Sequence, residues 1–169
     1  MFSQSQESRP ILDIPLKRLD YILEISGWMT LGVLFLFSSL IFTGLPEIIP
    51  SHFSFSGEPN GFSNKWSFLF LPILALFMFV GFTYLGREPH KFNYLNPITP
   101  ENAYSQYVGA LRFLKAAKIF IALLFLIIQL HTVSVASGGP KFFIYAVFLF
   151  ITIFPLIFFF FTESSSTRA

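Results

Sequence analysis

The sequence contains no cysteine and few charged residues for its length. Cys does not occur in the 169 residues, and Asp, Glu, Lys and Arg together make up 12%. The lack of cysteine excludes disulfides, thiol chemistry and Cys-ligated metals. A globular domain carries about 25% charged residues, so this chain has too little charge to cover a water-facing surface. Its net charge of +2 is also too small to indicate nucleic-acid binding.

Four long apolar runs lack Asp, Glu, Lys and Arg altogether. They are residues 28–45, 66–85, 119–136 and 142–161, and each is close to the roughly 20 residues that a helix needs to cross a bilayer. None shows the short alternating segments that are typical of membrane β-barrels. The sequence therefore predicts an all-α integral membrane protein, a single membrane domain with four transmembrane helices.

Basic residues are divided unequally between the two predicted sides of the membrane. All Lys and Arg residues but Lys65 and Lys141 fall in the N-terminal segment, in residues 86–118 or in the C-terminal tail. Because basic residues accumulate on the cytoplasmic side, we expect both chain ends and residues 86–118 inside, with residues 46–65 outside. No small-residue cleavage pattern follows the first apolar run, which predicts an uncleaved signal anchor.

Residues 10–27 mix apolar and charged side chains near helical spacing. With Asp13 as the cap and Pro15 in the first turn, they predict an amphipathic helix that lies on the inner membrane surface and runs into the first span. The alternative is a cytoplasmic extension of the first span itself.

Residues 86–118 predict a cytoplasmic loop that ends in a helical extension of the third span. Thr99 is suited to cap this helix, and Pro100 to occupy its first position. Three basic residues fall on roughly one of its faces, where we expect them to meet lipid headgroups. They are Arg112, Lys115 and Lys118.

The loop between the first two apolar runs, residues 46–65, has the composition of a folded element. Two prolines in its first five residues prevent a helix. Residues 52–56 alternate polar with aromatic side chains, which is the spacing of an extended strand. The sequence GEPNG then predicts a turn, with Pro59 at the first corner and Asn60 or Gly61 at positive φ. We expect an outer cap whose aromatic side rests on the helix ends.

This loop, LPEIIPSHFSFSGEPNGFSNK, resembles the signature of a bacterial membrane family, domain of unknown function 1648, which forms the N-terminal part of SdpI-type immunity proteins. A second stretch, FNYLNPITPENAYSQY, is similar to a motif of four-span members. The family commonly has Asp-Gly and then Trp or Tyr where this chain has Asn60, Gly61 and Phe62. The matching positions of the signature are Leu45, Pro46, Pro50, His52, Phe53, Gly57, Pro59 and Lys65.

The resemblance implies a multipass protein of the bacterial cytoplasmic (inner) membrane. Characterised members confer immunity to a secreted peptide toxin and signal its presence. The resemblance therefore implies that the outer loop recognises an external ligand such as a toxic peptide. The residues it implies for ligand binding are Pro46, Pro50, His52, Phe53, Gly57, Pro59 and Lys65.

His52 has three possible roles. It can contact a ligand, or it can hold the outer loop together by hydrogen bonds, since polar groups in a folded loop need partners. A metal would need three or four ligands, and only Glu47, Glu58 and His131 could join His52. The sequence therefore predicts no metal site. For Lys65 the alternative role is an interfacial anchor that snorkels towards the headgroups.

Gln129 and His131 are polar residues inside the third predicted span. His131 lies about 18 Å from the start of that span at 1.5 Å per residue, in its outer part. An ionisable side chain in the membrane is a functional-site hypothesis by default. The alternative is a hydrogen bond between helices that fixes their packing.

No catalytic motif or phosphate-binding loop is present, so the sequence predicts neither an enzyme nor a cofactor. The first hypothesis is a membrane protein that recognises an external ligand through its outer loop. The second is an accessory or structural subunit that packs against a larger membrane protein. A metal-dependent enzyme is a third and weaker possibility.

Overall fold

The computed structural model describes residues 9–141 and 144–153. Three helices in it are long and apolar enough to cross a membrane. Of the fourth predicted span, only a helix at Ile144–Ile153 falls within the described residues. The elements in chain order are α1 (Arg18–Phe42), β1 (Ile48–Phe53), β2 (Pro59–Asn64), a 3-10 turn (Lys65–Leu69), α2 (Phe70–Leu85), a second 3-10 turn (Pro89–Lys91), α3 (Ala103–Ala136) and α4 (Ile144–Ile153).

The centre of the molecule is a bundle in which α3 packs against both α1 and α2. Small residues allow the helices to approach closely, as is usual in membrane bundles. A Cβ atom on Gly27 of α1 would lie 3.5 Å from the Phe79 ring of α2. The buried apolar core consists of Leu31, Leu34, Ala75, Phe79 and Ala122.

The helix α1 begins at Arg18, so the predicted helix over residues 10–27, with Asp13 as its cap and Pro15 in its first turn, starts too early. The backbone N–H of Lys17 donates to the Asp20 carboxylate over 2.9 Å, and this bond closes the helix end. From Arg18 onward, α1 is one helix that continues into the first apolar run.

The non-helical residues 9–17 contact the first turns of α3 and the loop before it. The Tyr107 hydroxyl donates to the backbone oxygen of Pro10 over 3.2 Å. Arg9 donates to the backbone oxygen of Phe92 over 2.6 Å, and its guanidinium lies 5.7 Å from the centre of the Tyr94 ring. Burial raises the pKa of Tyr94 to about 12, so its phenol stays neutral. The segment ties the start of α1 to the start of α3.

The helix α3 runs without a break from Ala103 to Ala136. It begins after the predicted cap at Thr99, because Thr99 and Asn102 form a turn of their own. The backbone N–H of Thr99 donates to the Asn102 side chain over 2.9 Å, and Asn102 occupies the cap position.

The loop between α1 and α2 is an antiparallel β-hairpin, which corrects the all-α prediction. In its register Ile49 lies opposite Ser63 and Pro50 opposite Phe62, and the ladder is irregular between Pro50 and His52. The irregularity accommodates a proline, which has no N–H to give. We call the end of the bundle that carries this hairpin the hairpin end.

The turn of the hairpin falls earlier than the sequence predicted. The backbone N–H of Gly57 donates to the oxygen of Ser54, and that of Ser54 to the oxygen of Glu58, each over 2.9 Å. Positive φ occurs at Gly57, at 81°, so the prediction of Asn60 or Gly61 is wrong. These hydrogen bonds close the turn before Pro59, which becomes the first residue of β2.

Candidate functional site: a cleft beneath the hairpin

The base of the hairpin is fixed to the bundle by Lys65. Its ammonium lies 2.7 Å from the Glu47 carboxylate. Its backbone N–H donates to the backbone oxygen of Glu47 over 2.9 Å. The ammonium also lies 5.7 Å from the centre of the Phe42 ring. Leu45, Ile49 and Phe68 form a buried apolar cluster at the same end. Lys65 therefore closes the hairpin at its base.

The turn of the hairpin is fixed to α4. The Lys141 ammonium lies 2.6 Å from one Glu58 carboxylate oxygen. Gly57 packs so closely on α4 that a Cβ atom there would lie 2.9 Å from a methyl group of Ile144. Positive φ and this approach both require glycine at position 57.

A cleft of about 570 Å³ opens between the hairpin, α3 and α4. Among the described residues, no Asp, Glu, Lys or Arg lines it, and the α4 residues in its wall are apolar. The lining residues are Ser51, His52, Phe53, Ser54, Phe55, Asn60, Ile128, His131, Ile144, Val147 and Phe148. The cleft suits an uncharged, largely apolar molecule.

His131 lies in the wall of the cleft near the backbone of Gly57, and its ring makes no well-formed hydrogen bond to any described residue. Its side chain is 1% exposed, and neither ring nitrogen has a partner among the described residues. The Phe53 ring stands edge-on to the imidazole, with 4.4 Å between the ring centres. Leaving a buried polar group unpaired costs about 1–3 kcal/mol, so this imidazole needs a physical explanation.

Gln129, two residues before His131, has a hydrogen-bond partner at its amide oxygen and another at its amide nitrogen. The Ser38 hydroxyl lies 2.8 Å from its amide oxygen, and its amide nitrogen donates to the backbone oxygen of Phe68 over 2.8 Å. These bonds connect α3 with α1 and with the turn before α2. Gln129 therefore makes the hydrogen bonds between elements that were expected to fix the packing. His131 makes none to the described residues.

His52 lies at the rim of the cleft and is exposed. Its Nδ1 atom is 3.2 Å from the Ser51 hydroxyl, which accepts a hydrogen bond from Ser63 over 2.9 Å. Across the hairpin, a Cβ atom on Gly61 would lie 3.0 Å from the same Nδ1 atom. The local serines thus orient the imidazole while its ring remains in reach of solvent.

The structure brings only some of the predicted ligand-binding residues together. His52 and Phe53 line the cleft, while Pro50 is buried and Pro46 is exposed outside it. The other three, Gly57, Pro59 and Lys65, shape the turn, the start of β2 and the base of the hairpin.

The acidic residues considered as metal ligands are engaged elsewhere. Glu47 pairs with Lys65 and Glu58 with Lys141. Over residues 9–141 and 144–153, no group of three or more His, Asp and Glu side chains is placed to hold a metal ion.

A second polar group, at the opposite end of the bundle, was not predicted from the sequence. Lys118 is 2% exposed and donates to Glu24 over 2.8 Å and to the Thr83 hydroxyl over 2.7 Å. Arg112 donates to Asp20 over 2.9 Å. We call these five residues the ionic cluster; they join α1, α2 and α3.

The headgroup prediction is therefore wrong for Arg112 and Lys118. The sequence did contain a signal for their pairing. Asp20 and Glu24 are four residues apart and so lie on one helical face, which can meet a basic face of another helix.

Comparison with known proteins covers the hairpin and its flanking helices. A model of the family described as "Domain of unknown function (DUF1648)" matches residues 29–76. An uncharacterized protein of Archaeoglobus fulgidus is 30% identical over a 73-residue alignment, and the match covers 38% of this chain and 40% of that protein. The chain thus spans about two fifths of the length of this curated relative. No solved structure matches. The chain is membrane-like and carries a match to a domain of unknown function, as the loop motif predicted.

Proposed function

We propose that this membrane protein binds an uncharged, largely apolar ligand in the cleft at its hairpin end. The observation that carries the proposal is the buried imidazole of His131, which has no hydrogen-bond partner among the described residues. Its unpaired nitrogens cost stability in the empty protein. A ligand with a hydrogen-bonding group would remove that cost.

The lining of the cleft supports an apolar ligand with a few polar atoms. Ligand pockets are mostly apolar and use a small number of placed polar groups to fix orientation. Here Ile144, Val147 and Phe148 offer the apolar wall. Ser51 and His52 offer polar atoms at the rim.

The direction of approach follows from the distribution of basic residues. The positive-inside rule favours a hairpin end that faces away from the cytoplasm. The ligand would then arrive from outside or from the outer leaflet. The resemblance to SdpI-type immunity proteins favours a secreted toxic peptide, and with it a bacterial cytoplasmic membrane.

Affinity selection with the protein in lipid nanodiscs tests the proposal. The probe is a randomised library of capped octapeptides without charged residues, and mass spectrometry identifies the retained peptides. We expect peptides that bind the native protein and bind His131→Leu about tenfold more weakly, the value of one hydrogen bond. Ile128→Trp, which fills the cleft, should abolish their binding.

His90→Leu is the matched control, because His90 lies at the opposite end near Arg9. It should retain peptides as the native protein does. Retention of no peptide, or equal retention by all variants, would contradict the proposal. A second membrane protein that co-purifies in equal amount and covers the hairpin end would favour an accessory subunit instead.

A further inference from the structure

We infer that the cleft takes its ligand as an extended peptide segment, which adds to β1 as a third strand. The inference rests on the proposed function and specifies the class of ligand and the way it binds. Three observations carry it: the order of the residues that line the cleft, the unpaired edge of β1, and the lack of charge in both.

One wall of the cleft is a continuous stretch of chain. Ser51, His52 and Phe53 are consecutive residues of β1, and Ser54 and Phe55 follow directly; all five line the cleft. Successive side chains of a strand point to opposite faces. Because the ladder is irregular between Pro50 and Phe53, side-chain alternation alone does not explain why consecutive residues line the cleft; an exposed strand edge along Ser51, His52 and Phe53 does.

The outer edge of this strand has no partner in the described part of the chain. Ser51, His52 and Phe53 make no backbone hydrogen bond there except those of the ladder with β2. A strand edge is a row of N–H and C=O groups that fits another extended backbone. Unpaired backbone groups are especially costly near the hydrocarbon core, so a ligand that pairs them gains more here than in water.

The edge has no charge to protect it from such pairing. Proteins commonly place charged residues along exposed edges, and β1, with the sequence IIPSHF, contains no Asp, Glu, Lys or Arg. Pro50 limits pairing to the residues after it, because proline has no N–H. Among the described residues, none that lines the cleft is charged either. The chemistry favours an uncharged segment whose apolar side chains face Val147 and Phe148.

The length of the wall sets the length of the segment. At about 3.3 Å per residue, the strand edge from Ser51 to Phe53 pairs with roughly three residues of a peptide, and Ser54 and Phe55 of the turn lie beyond its end. Phe53 covers the imidazole of His131 in the empty cleft. When this ring turns aside, a side-chain or backbone group of the peptide can bond to His131.

Alternate N-methylation of a selected peptide tests strand addition. In a strand, every second N–H points to the same side, so methyl groups on the odd or the even residues block opposite edges. We expect one pattern to weaken binding at least tenfold, as fluorescence anisotropy in nanodiscs would measure. The other pattern should change the dissociation constant less than twofold.

Hydrogen exchange provides a second readout in the same complex. Addition of the unmethylated peptide should slow amide exchange in residues 51–55 and leave α1 unchanged. Equal effects of the two methylation patterns, or no slowing in residues 51–55, would overturn strand addition. In that case, weaker binding to His131→Leu and Ile128→Trp would still support the proposed function. A lipid acyl chain retained in the cleft, with no peptide selected, would overturn strand addition and also the proposed function, because an acyl chain has no hydrogen-bonding group for His131.

Discussion

A buried ammonium at one end of the bundle and a buried imidazole at the hairpin end differ in their hydrogen-bond partners. In the ionic cluster, the ammonium of Lys118 has two hydrogen-bond partners, Glu24 and Thr83. It also lies about 6.0 Å from the centre of the Trp28 ring, with which it can interact favourably. At the hairpin end, the imidazole of His131 has no partner in the described chain. A satisfied polar group is explained by packing, whereas an unsatisfied one needs another explanation, and the ligand proposed for the cleft would supply it.

The ionic cluster should give the largest loss of stability when it is broken. Lys118→Met removes the cation and leaves Glu24 with a single bond to Trp28. Breaking a buried ion pair costs about 3–5 kcal/mol, and we expect about 3 because Glu24 is 30% exposed. Unfolding in mixed detergent micelles would measure the change.

Lys115→Met is the control for this variant, because Lys115 lies on the same helix and acts on Asp20 only as a weak electrostatic neighbour. Its cost should stay below about 0.5 kcal/mol. Equal losses in the two variants would show that the hydrogen bonds of Lys118 contribute nothing to stability beyond the presence of a lysine. The contrast between the two ends would then be contradicted.

Gly57→Ala, at the hairpin end, should give the next largest loss of stability. The alanine would be strained at a φ of 81° and would clash with Ile144. We expect a loss of about 2 kcal/mol in unfolding free energy and weaker peptide binding, because the turn and α4 would separate. Gly81→Ala in α2, where a Cβ atom meets nothing within 4 Å, should be neutral or slightly stabilising. Identical behaviour of the two alanines would argue against the fixed turn.

Lys65→Met should give the smallest effect. Its partner Glu47 is 72% exposed, and exposed ion pairs contribute about 0–1 kcal/mol. We expect a loss below about 1 kcal/mol and no change in peptide affinity, since Lys65 lies outside the cleft. A strong loss of affinity without a loss of stability would make Lys65 a ligand contact, as the motif alone had implied.

Much of the membrane-crossing architecture could be predicted from the sequence, because length and hydropathy alone identify a membrane helix. Three of the predicted apolar runs lie in helices that could span a membrane. The strand character of residues 52–53 also followed from their alternation. The positive φ at Gly57 did not, because the turn is placed by hydrogen bonds of Ser54 that composition cannot rank against other turns.

The pairings across the bundle could not be predicted for a different reason. Judged by residue type and by position along the helix, Lys118 is expected to face the lipid headgroups. Only the packing of α1 against α3 decides that it is buried beside Glu24. In the same way, the sequence does not show which of Gln129 and His131 is hydrogen-bonded. Within the described residues, neighbouring elements supply partners to Gln129 and none to the ring of His131.

The most direct test of the account compares the stability of Gln129→Leu and His131→Leu in the same detergent. Gln129→Leu removes two buried hydrogen bonds and should lower the unfolding free energy by about 1–2 kcal/mol. His131→Leu removes a buried group that has no hydrogen bond to any described residue, so the protein should be equally or more stable. If His131→Leu is destabilised as much as Gln129→Leu, the imidazole serves packing, and the central claim that it is kept for a ligand is wrong.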